Sequence, residues 1–150
     1  MQLPAEGGQA LHARPLCRDV FQLVDRPDGR REVGPQELRE VVSAAVSYLE
    51  ALTERQIVSA ITVAELYTGV REGAERQALE ELLETFDIIP VSQTIAVTGG
   101  LFRRKFLKSH NLGIADAVIA ATAEMEKAIV VTRNRKHFPM FSNVIVPYQK

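Results

Sequence analysis

The sequence contains one cysteine, no tryptophan and almost equal numbers of acidic and basic residues. The single cysteine, Cys17, excludes an internal disulfide and a cysteine-based zinc site. The formal net charge of −1 excludes a global basic field that would attract nucleic acid. Apolar runs fall far short of the roughly 18 residues that a membrane span needs, and no charged-then-apolar signal peptide opens the chain. These absences predict a cytoplasmic protein that holds any polyanion through local Arg and Lys side chains or through a metal ion.

From residue 36 onwards, hydrophobic periodicity predicts alternating helices and strands in a single domain. This alternation is typical of an α/β fold with a parallel sheet, right-handed crossovers and helices on both faces. Pro90 indicates an edge or terminal position for its strand, and one apolar stripe is expected from Ile114 to Met125. The predicted helices are 36–54, 62–71, 74–85, 92–109 and 112–125, and the predicted strands are 57–61, 86–91, 128–132 and 143–147.

Residues 1–35 are rich in proline and glycine and show no sustained period. One apolar run within them, Val20–Val24, has the character of a strand and ends in Asp25, which a turn-like Arg-Pro-Asp-Gly sequence follows. We predict that this run forms the central strand of a sheet of about five strands; the alternative is that the centre of the sheet is unfilled. Asp25 would then lie at the carboxyl end of that strand.

Three acids and one amide are expected at the carboxyl edge of this sheet, where open α/β folds bind their ligands. Asp25, Glu65 and Asn134 each follow a predicted strand, and Asp116 begins a helix that runs back towards the next strand. Two carboxylates about 4 Å apart repel by roughly 4 kcal/mol at an effective dielectric near 20, so a divalent cation would stabilise such a cluster. Ligation by oxygen alone favours Mg²⁺, or Mn²⁺, over zinc.

Each of these residues also has a purely structural interpretation. Thr62 and Glu65 have the spacing of a capping box, which ties the two residues to the first turn of a helix. Asp116 can complement a helix dipole, which contributes about 0.3–1 kcal/mol. Asn134 can cap the turn that follows it, and His137 is expected to be a surface or partly packed histidine rather than a metal ligand. No glycine-rich phosphate loop follows a predicted strand, which argues against a nucleotide-binding domain.

Three motifs, in this order and at this spacing, resemble those of the PIN-domain ribonucleases, and most closely the VapC-type toxins of bacterial toxin–antitoxin pairs. They are Thr62–Gly69 (TVAELYTG), Ala115–Ala123 (ADAVIAATA) and Val131–Phe138 (VTRNRKHF). The resemblance covers about residues 46–148. It implies an α/β/α sandwich, Mg²⁺-dependent endoribonuclease activity, homodimerisation and a small antitoxin protein that blocks the site.

The resemblance also implies roles for individual residues. Glu65 and Asp116 take the places of two metal-binding acids of the family, and Asp25 is the best stand-in for the first of them. Asn134 occupies a position where many members carry Asp. Cationic side chains beside this edge either hold the phosphates of RNA or belong to a solvated loop. They are Arg133, Arg135 and Lys136.

The N-terminal segment departs from the family pattern. The family has a short apolar strand that runs straight into Asp-Thr-Asn or a similar triplet, and no such triplet is present here. Residues 1–35 read as a different sequence joined to the domain, as a misassigned start or a frameshift would produce. The alternative to a nuclease is therefore a catalytically impaired PIN-like domain that only binds antitoxin or RNA.

Overall fold

A computed structural model describes residues 14–18, 47–48, 50–51 and 55–147 of the chain. Its core is a five-stranded sheet in which every pair of neighbouring strands is parallel, in the order β3-β2-β1-β4-β5. This topology confirms the predicted α/β class, and β3, which precedes Pro90, lies at an edge as expected. The strands are β1 (Pro15–Cys17), β2 (Ile57–Ser59), β3 (Asp87–Ile89), β4 (Ile129–Val131) and β5 (Val144–Ile145).

The central strand is not the one that the sequence predicted. β1 fills the position between β2 and β4, with Leu16 paired to Ile57 on one side and to Val130 on the other. The assignment of Val20–Val24 to the centre was therefore wrong, and that run itself lies outside the described residues. A three-residue strand is too short to show a periodic pattern, which is why the longer apolar run was the stronger candidate.

Four α-helices lie within the described part of the chain, each within about two residues of its predicted start and end. Ser47, Tyr48 and Glu50 are also helical and fall within the helix predicted over 36–54, most of which lies outside the described residues. None of the described helices has the length and apolar character needed to cross a membrane. The helices are α1 (Ala60–Gly69), α2 (Ala74–Leu83), α3 (Gln93–His110) and α4 (Ile114–Met125), and a 3-10 turn covers Arg135–His137.

Helices cover both faces of the sheet, so the predicted α/β/α sandwich is confirmed. Successive residues of β1 point to opposite faces, as in any strand. Leu16 belongs to the cluster beneath α4, which includes Ile119 and Phe138. Cys17 belongs to the cluster on the other side, where Leu66 of α1 and Leu83 of α2 pack. Burial raises the pKa of the Cys17 thiol to about 12.

α3 and α4 pack closely because Gly99 has no side chain. A Cβ atom at Gly99 would lie 3.0 Å from both Cα and Cγ2 of Val118 in α4. The sequence predicted a single apolar stripe on α4, but all residues from Ala117 to Ala123 are buried, while Ile114 and Met125 at its ends are exposed. α4 is buried all round because α3 covers the side that faces away from the sheet.

The amino edge of the sheet carries an ion cluster of its own. Arg14, which precedes β1, and Arg55, which precedes β2, both form ion pairs with Asp87 at the start of β3. The hydrogen bond from Arg14 is the main cause that lowers the pKa of Asp87 below its ordinary value. Each arginine thus ties the entry of one strand to the edge strand.

Candidate active site

Glu65 lies in the interior of α1 and faces the carboxyl edge of the sheet. α1 begins at Ala60 and is capped by Ser59, whose hydroxyl oxygen accepts a hydrogen bond from the backbone N–H of Ile61 at 3.3 Å. The capping-box interpretation of Thr62 and Glu65 was therefore wrong, because the cap lies three residues before Thr62. Glu65 is left to make other contacts with its side chain.

Asp116 lies in the first turn of α4, at the same edge of the sheet. Gly113, the N-cap of α4, has no side chain to cap the helix, so the acid also lies where the helix dipole favours negative charge. The Asp116 side chain is 15 % exposed. One of its oxygens, Oδ2, accepts a hydrogen bond from Nδ1 of His137 at 3.0 Å.

Arg18 joins the two acids. Its Nε donates to Oδ1 of Asp116 at 2.8 Å, and its Nη2 donates to Oε1 of Glu65 at 3.1 Å. Nη1 lies 2.7 Å from Oε2 of Glu65. The Arg18 side chain is only 10 % exposed, so the guanidinium is held between the carboxylates and not in solvent. Glu65 and Asp116, two of the three acids predicted at this edge, do converge, and Arg18 connects them.

The carboxylate oxygens of Glu65 and Asp116 are suitable ligands for a divalent cation, but Arg18 already occupies them. Two carboxylates that converge on one positive charge have the right chemistry for a cation, and the guanidinium acts as its stand-in. The same contacts leave each of the four carboxylate oxygens with a neighbour within 3.1 Å. Among the described residues, no group of three or more His, Cys, Asp or Glu side chains has a metal-binding arrangement. An ion would therefore have to displace Arg18.

Asn134 and His137 form the other wall of the site. Asn134 precedes the 3-10 turn at Arg135–His137, but its side chain makes no capping hydrogen bond, so the capping interpretation was wrong. The Asn134 amide nitrogen lies 3.1 Å from Nδ1 of His137 instead. His137 is partly packed, as predicted, and contacts Asp116. Because Nδ1 donates to Asp116, the Asn134 amide can donate only to the other ring nitrogen, Nε2, which lies 3.2 Å from it.

The predicted RNA-binding side chains lie on the loop after β4. Arg135 is exposed and donates from Nη2 to the carbonyl oxygen of Ser142 at 3.2 Å, which ties the loop to the segment before β5. Lys136 is exposed and Arg133 is half-buried. Their contact with RNA stays a prediction, as do the metal-binding roles of Glu65 and Asp116.

Asp25, the third predicted metal ligand, lies outside the described residues. The residue that follows the central strand is Arg18, whose backbone N–H continues the ladder by donating to the carbonyl oxygen of Val131 at 3.0 Å. The sequence carries only a weak signal for Arg18: the short apolar triplet Pro15–Cys17 runs directly into the charged pair Arg-Asp. For His137 the only signal is its position three residues after Asn134.

Comparison with known proteins shows the family to which the chain belongs. The sequence profile of the PIN domain family matches residues 31–143. Ribonuclease VapC10 of Mycobacterium tuberculosis is 36 % identical over 113 residues, which cover 74 % of this chain and 84 % of the relative. Ribonuclease VapC19 of the same species is 34 % identical over 119 residues, covering 77 % of this chain and 94 % of the relative.

Solved structures have the same fold. A toxin–antitoxin complex from Klebsiella pneumoniae matches with a TM-score of 0.68 and 26 % identity, covering 92 % of this chain and all of that one. FitAcB from Neisseria gonorrhoeae matches with a TM-score of 0.59 and 28 % identity, covering 89 % of this chain and 96 % of the other. Profile, relatives and fold all agree, and the chain belongs to the PIN domain family.

Proposed function

We propose that this chain is the toxin component of a toxin–antitoxin pair and an endoribonuclease that cleaves RNA phosphodiesters. The observation that carries the proposal is the convergence of Glu65 and Asp116 on one positive charge at the carboxyl edge of the sheet. The relatives named ribonucleases support the reaction, and the solved toxin–antitoxin complexes support the partner. We expect a small antitoxin protein as partner, a homodimer as the assembly and the cytoplasm as the location.

In the proposed reaction, Glu65 and Asp116 would hold Mg²⁺ or Mn²⁺ in the place that the guanidinium of Arg18 takes in this structure. The chemistry that such an ion supplies is a lower pKa for bound water and neutralisation of charge on the reacting phosphate. His137 orients Asp116 through the hydrogen bond to Oδ2, and the Asn134 amide nitrogen lies 3.2 Å from the other ring nitrogen, Nε2, to which it can donate.

The loop after β4 supplies the positive charge that the chain as a whole lacks. The phosphates that flank the cleaved bond would bind Arg133, Arg135 and Lys136, which follow β4 directly on the side of the acids. Because the net charge of the chain is −1, local contacts of this kind are needed for binding to RNA.

A second candidate function is favoured by one observation, the contact of Arg18 with both acids. With the guanidinium in place, the chain would be a PIN domain that binds RNA or antitoxin without cleaving RNA. The two candidates share the fold and the binding surface, and they differ in whether Glu65 and Asp116 act on the phosphate.

Cleavage of single-stranded RNA in a titration of Mg²⁺ or Mn²⁺ distinguishes the two candidates. The nuclease requires cleavage that appears at high metal concentration, is removed by chelation and is lost in both Glu65→Gln and Asp116→Asn. Glu124→Gln is the matched control, because Glu124 is exposed on the same helix as Asp116. RNA that is bound but left intact at every metal concentration would reject the nuclease in favour of the binding protein. Cleavage that survives both substitutions would place the reaction elsewhere in the molecule.

A further inference from the structure

We infer that Arg18 is an internal counter-ion that competes with a divalent cation for Glu65 and Asp116, and thereby sets the metal affinity of this chain. The inference deepens the proposed function, on which it rests for the identity of the competing ion. It concerns a residue of the chain itself, located directly after the central strand.

The backbone fixes the position of Arg18. Pro15–Cys17 lies in the centre of the sheet, and Leu16 and Cys17 are fully buried on opposite faces. The backbone N–H of Arg18 extends the pairing with β4 through the carbonyl oxygen of Val131. The side chain therefore starts from a rigid point at the carboxyl edge, and the guanidinium reaches both acids from there.

The chemistry of arginine makes this counter-ion permanent. A guanidinium stays protonated at any pH at which the protein is folded, and its planar donors match carboxylates closely. Hydrogen bonds between ionised partners are among the strongest that side chains form. The hydrogen bonds from Arg18 to Asp116 at 2.8 Å and to Oε1 of Glu65 at 3.1 Å are of this type. Low exposure of the arginine further limits screening by water and salt.

A divalent cation and Arg18 need the same oxygen atoms. Binding of the ion between Glu65 and Asp116 would bring it against a like charge, unless the guanidinium leaves. When the guanidinium moves away, it becomes exposed to water and loses its two ion pairs. The free energy lost with these ion pairs weakens the net binding of the metal. Removal of the guanidinium should consequently strengthen metal binding and make the folded state depend on it, because two facing carboxylates would be left without a counter-ion.

The test is Mn²⁺ binding to the full-length chain, followed by titration calorimetry and by the shift in melting temperature. Arg18→Met, which keeps much of the side-chain length without the charge, should bind Mn²⁺ at least about tenfold more tightly than the unmodified chain. Its melting temperature should lie below that of the unmodified chain without metal and rise on addition of Mn²⁺. The same substitution combined with Asp116→Asn should lose the gain.

Arg14→Met is the matched control. Arg14 flanks the other end of β1 and also pairs with a carboxylate, Asp87, but at the amino edge of the sheet. Arg14→Met should lower the stability of the chain without changing its affinity for Mn²⁺. Arg18→Lys, which keeps the charge and loses the planar fork, covers the case in which Arg18→Met folds poorly, and it should bind Mn²⁺ more tightly than the unmodified chain and less tightly than Arg18→Met.

The outcomes separate this inference from the proposed function. Equal Mn²⁺ affinity in the unmodified chain, Arg18→Met and Arg18→Lys would overturn the inference, whether or not RNA is cleaved. An equal gain in Arg14→Met would also overturn it, because the effect would then be one of general destabilisation. A tenfold gain that is specific to Arg18 and needs Asp116 supports the inference even if no variant cleaves RNA, in which case only the proposed function fails.

Discussion

The close packing of α3 on α4 leads to opposite predictions for two adjacent glycines. At Gly99, a Cβ atom would lie 3.0 Å from two atoms of Val118 and 3.3 Å from the backbone oxygen of Ala117. Two of these three atoms belong to the backbone of α4, so the contact cannot be relieved by rotating a side chain. At Gly100, a Cβ atom would meet nothing within 4 Å. The two positions share one helix and differ in what surrounds them.

The magnitudes follow from two opposing contributions. Replacing Gly by Ala inside a helix stabilises it by about 0.5–1 kcal/mol, and this gain applies equally to both positions. Forcing an extra carbon into a well-packed contact costs about 1–3 kcal/mol. Gly100→Ala should therefore raise the free energy of unfolding by up to about 1 kcal/mol. The free energy of unfolding of Gly99→Ala should be about 1–3 kcal/mol lower than that of Gly100→Ala, since both variants have the same helix gain.

Urea denaturation of both variants measures this difference directly. The midpoint should shift in opposite directions with an unchanged slope, because neither substitution alters the surface exposed on unfolding. In thermal unfolding, each kcal/mol corresponds to a shift of about 2–4 °C for a domain of this size. Equal stability of the two variants would refute the close approach of α3 and α4 at Val118.

Two further predictions concern ionisable groups away from the acid pair. The pKa of Asp87 is lowered in the folded chain by its ion pairs with Arg14 and Arg55. These ion pairs therefore stabilise the fold fully above the unfolded pKa of about 3.9. The stabilisation is lost as the pH falls through the lower pKa of the folded chain. The melting temperature of Asp87→Asn should accordingly fall less steeply at acid pH than that of the unmodified chain. An equally steep fall in both would contradict this. The pKa of the Cys17 thiol is raised to about 12, so the native chain should resist alkylation by iodoacetamide at pH near 8 and react only after unfolding. Rapid labelling of Cys17 in the native chain would contradict its burial.

Much of the fold could be predicted because its elements are long enough to show a period. α3 and α4 were predicted within about two residues of their ends, as apolar residues recur through several turns. The helix predicted over 62–71 ends at Gly69 in the structure. The strands are only two or three residues long in the structure, so the predicted strands were too long.

The acid pair could be predicted for a topological reason, and its counter-ion could not. Glu65 and Asp116 had to lie at the carboxyl edge once the helices and parallel strands were assigned. Arg18 depends on which short segment enters the centre of the sheet, and three residues carry too little pattern to decide that. His137 depends on the geometry of a single turn, and side-chain direction within such a turn does not follow from spacing alone.

The central position of β1 also has a kinetic consequence. Leu16 pairs with Ile57 and with Val130, so the middle of the sheet is completed by contacts between distant parts of the chain. Parallel pairings over such sequence separations form slowly, since the entropy of loop closure is lost before the contacts are gained. During synthesis β1 leaves the ribosome first and has no complete set of neighbours until β4 has followed. We therefore expect the contact between Arg18 and Asp116 to form late, and a chain arrested before β4 to expose unpaired strand edges to aggregation.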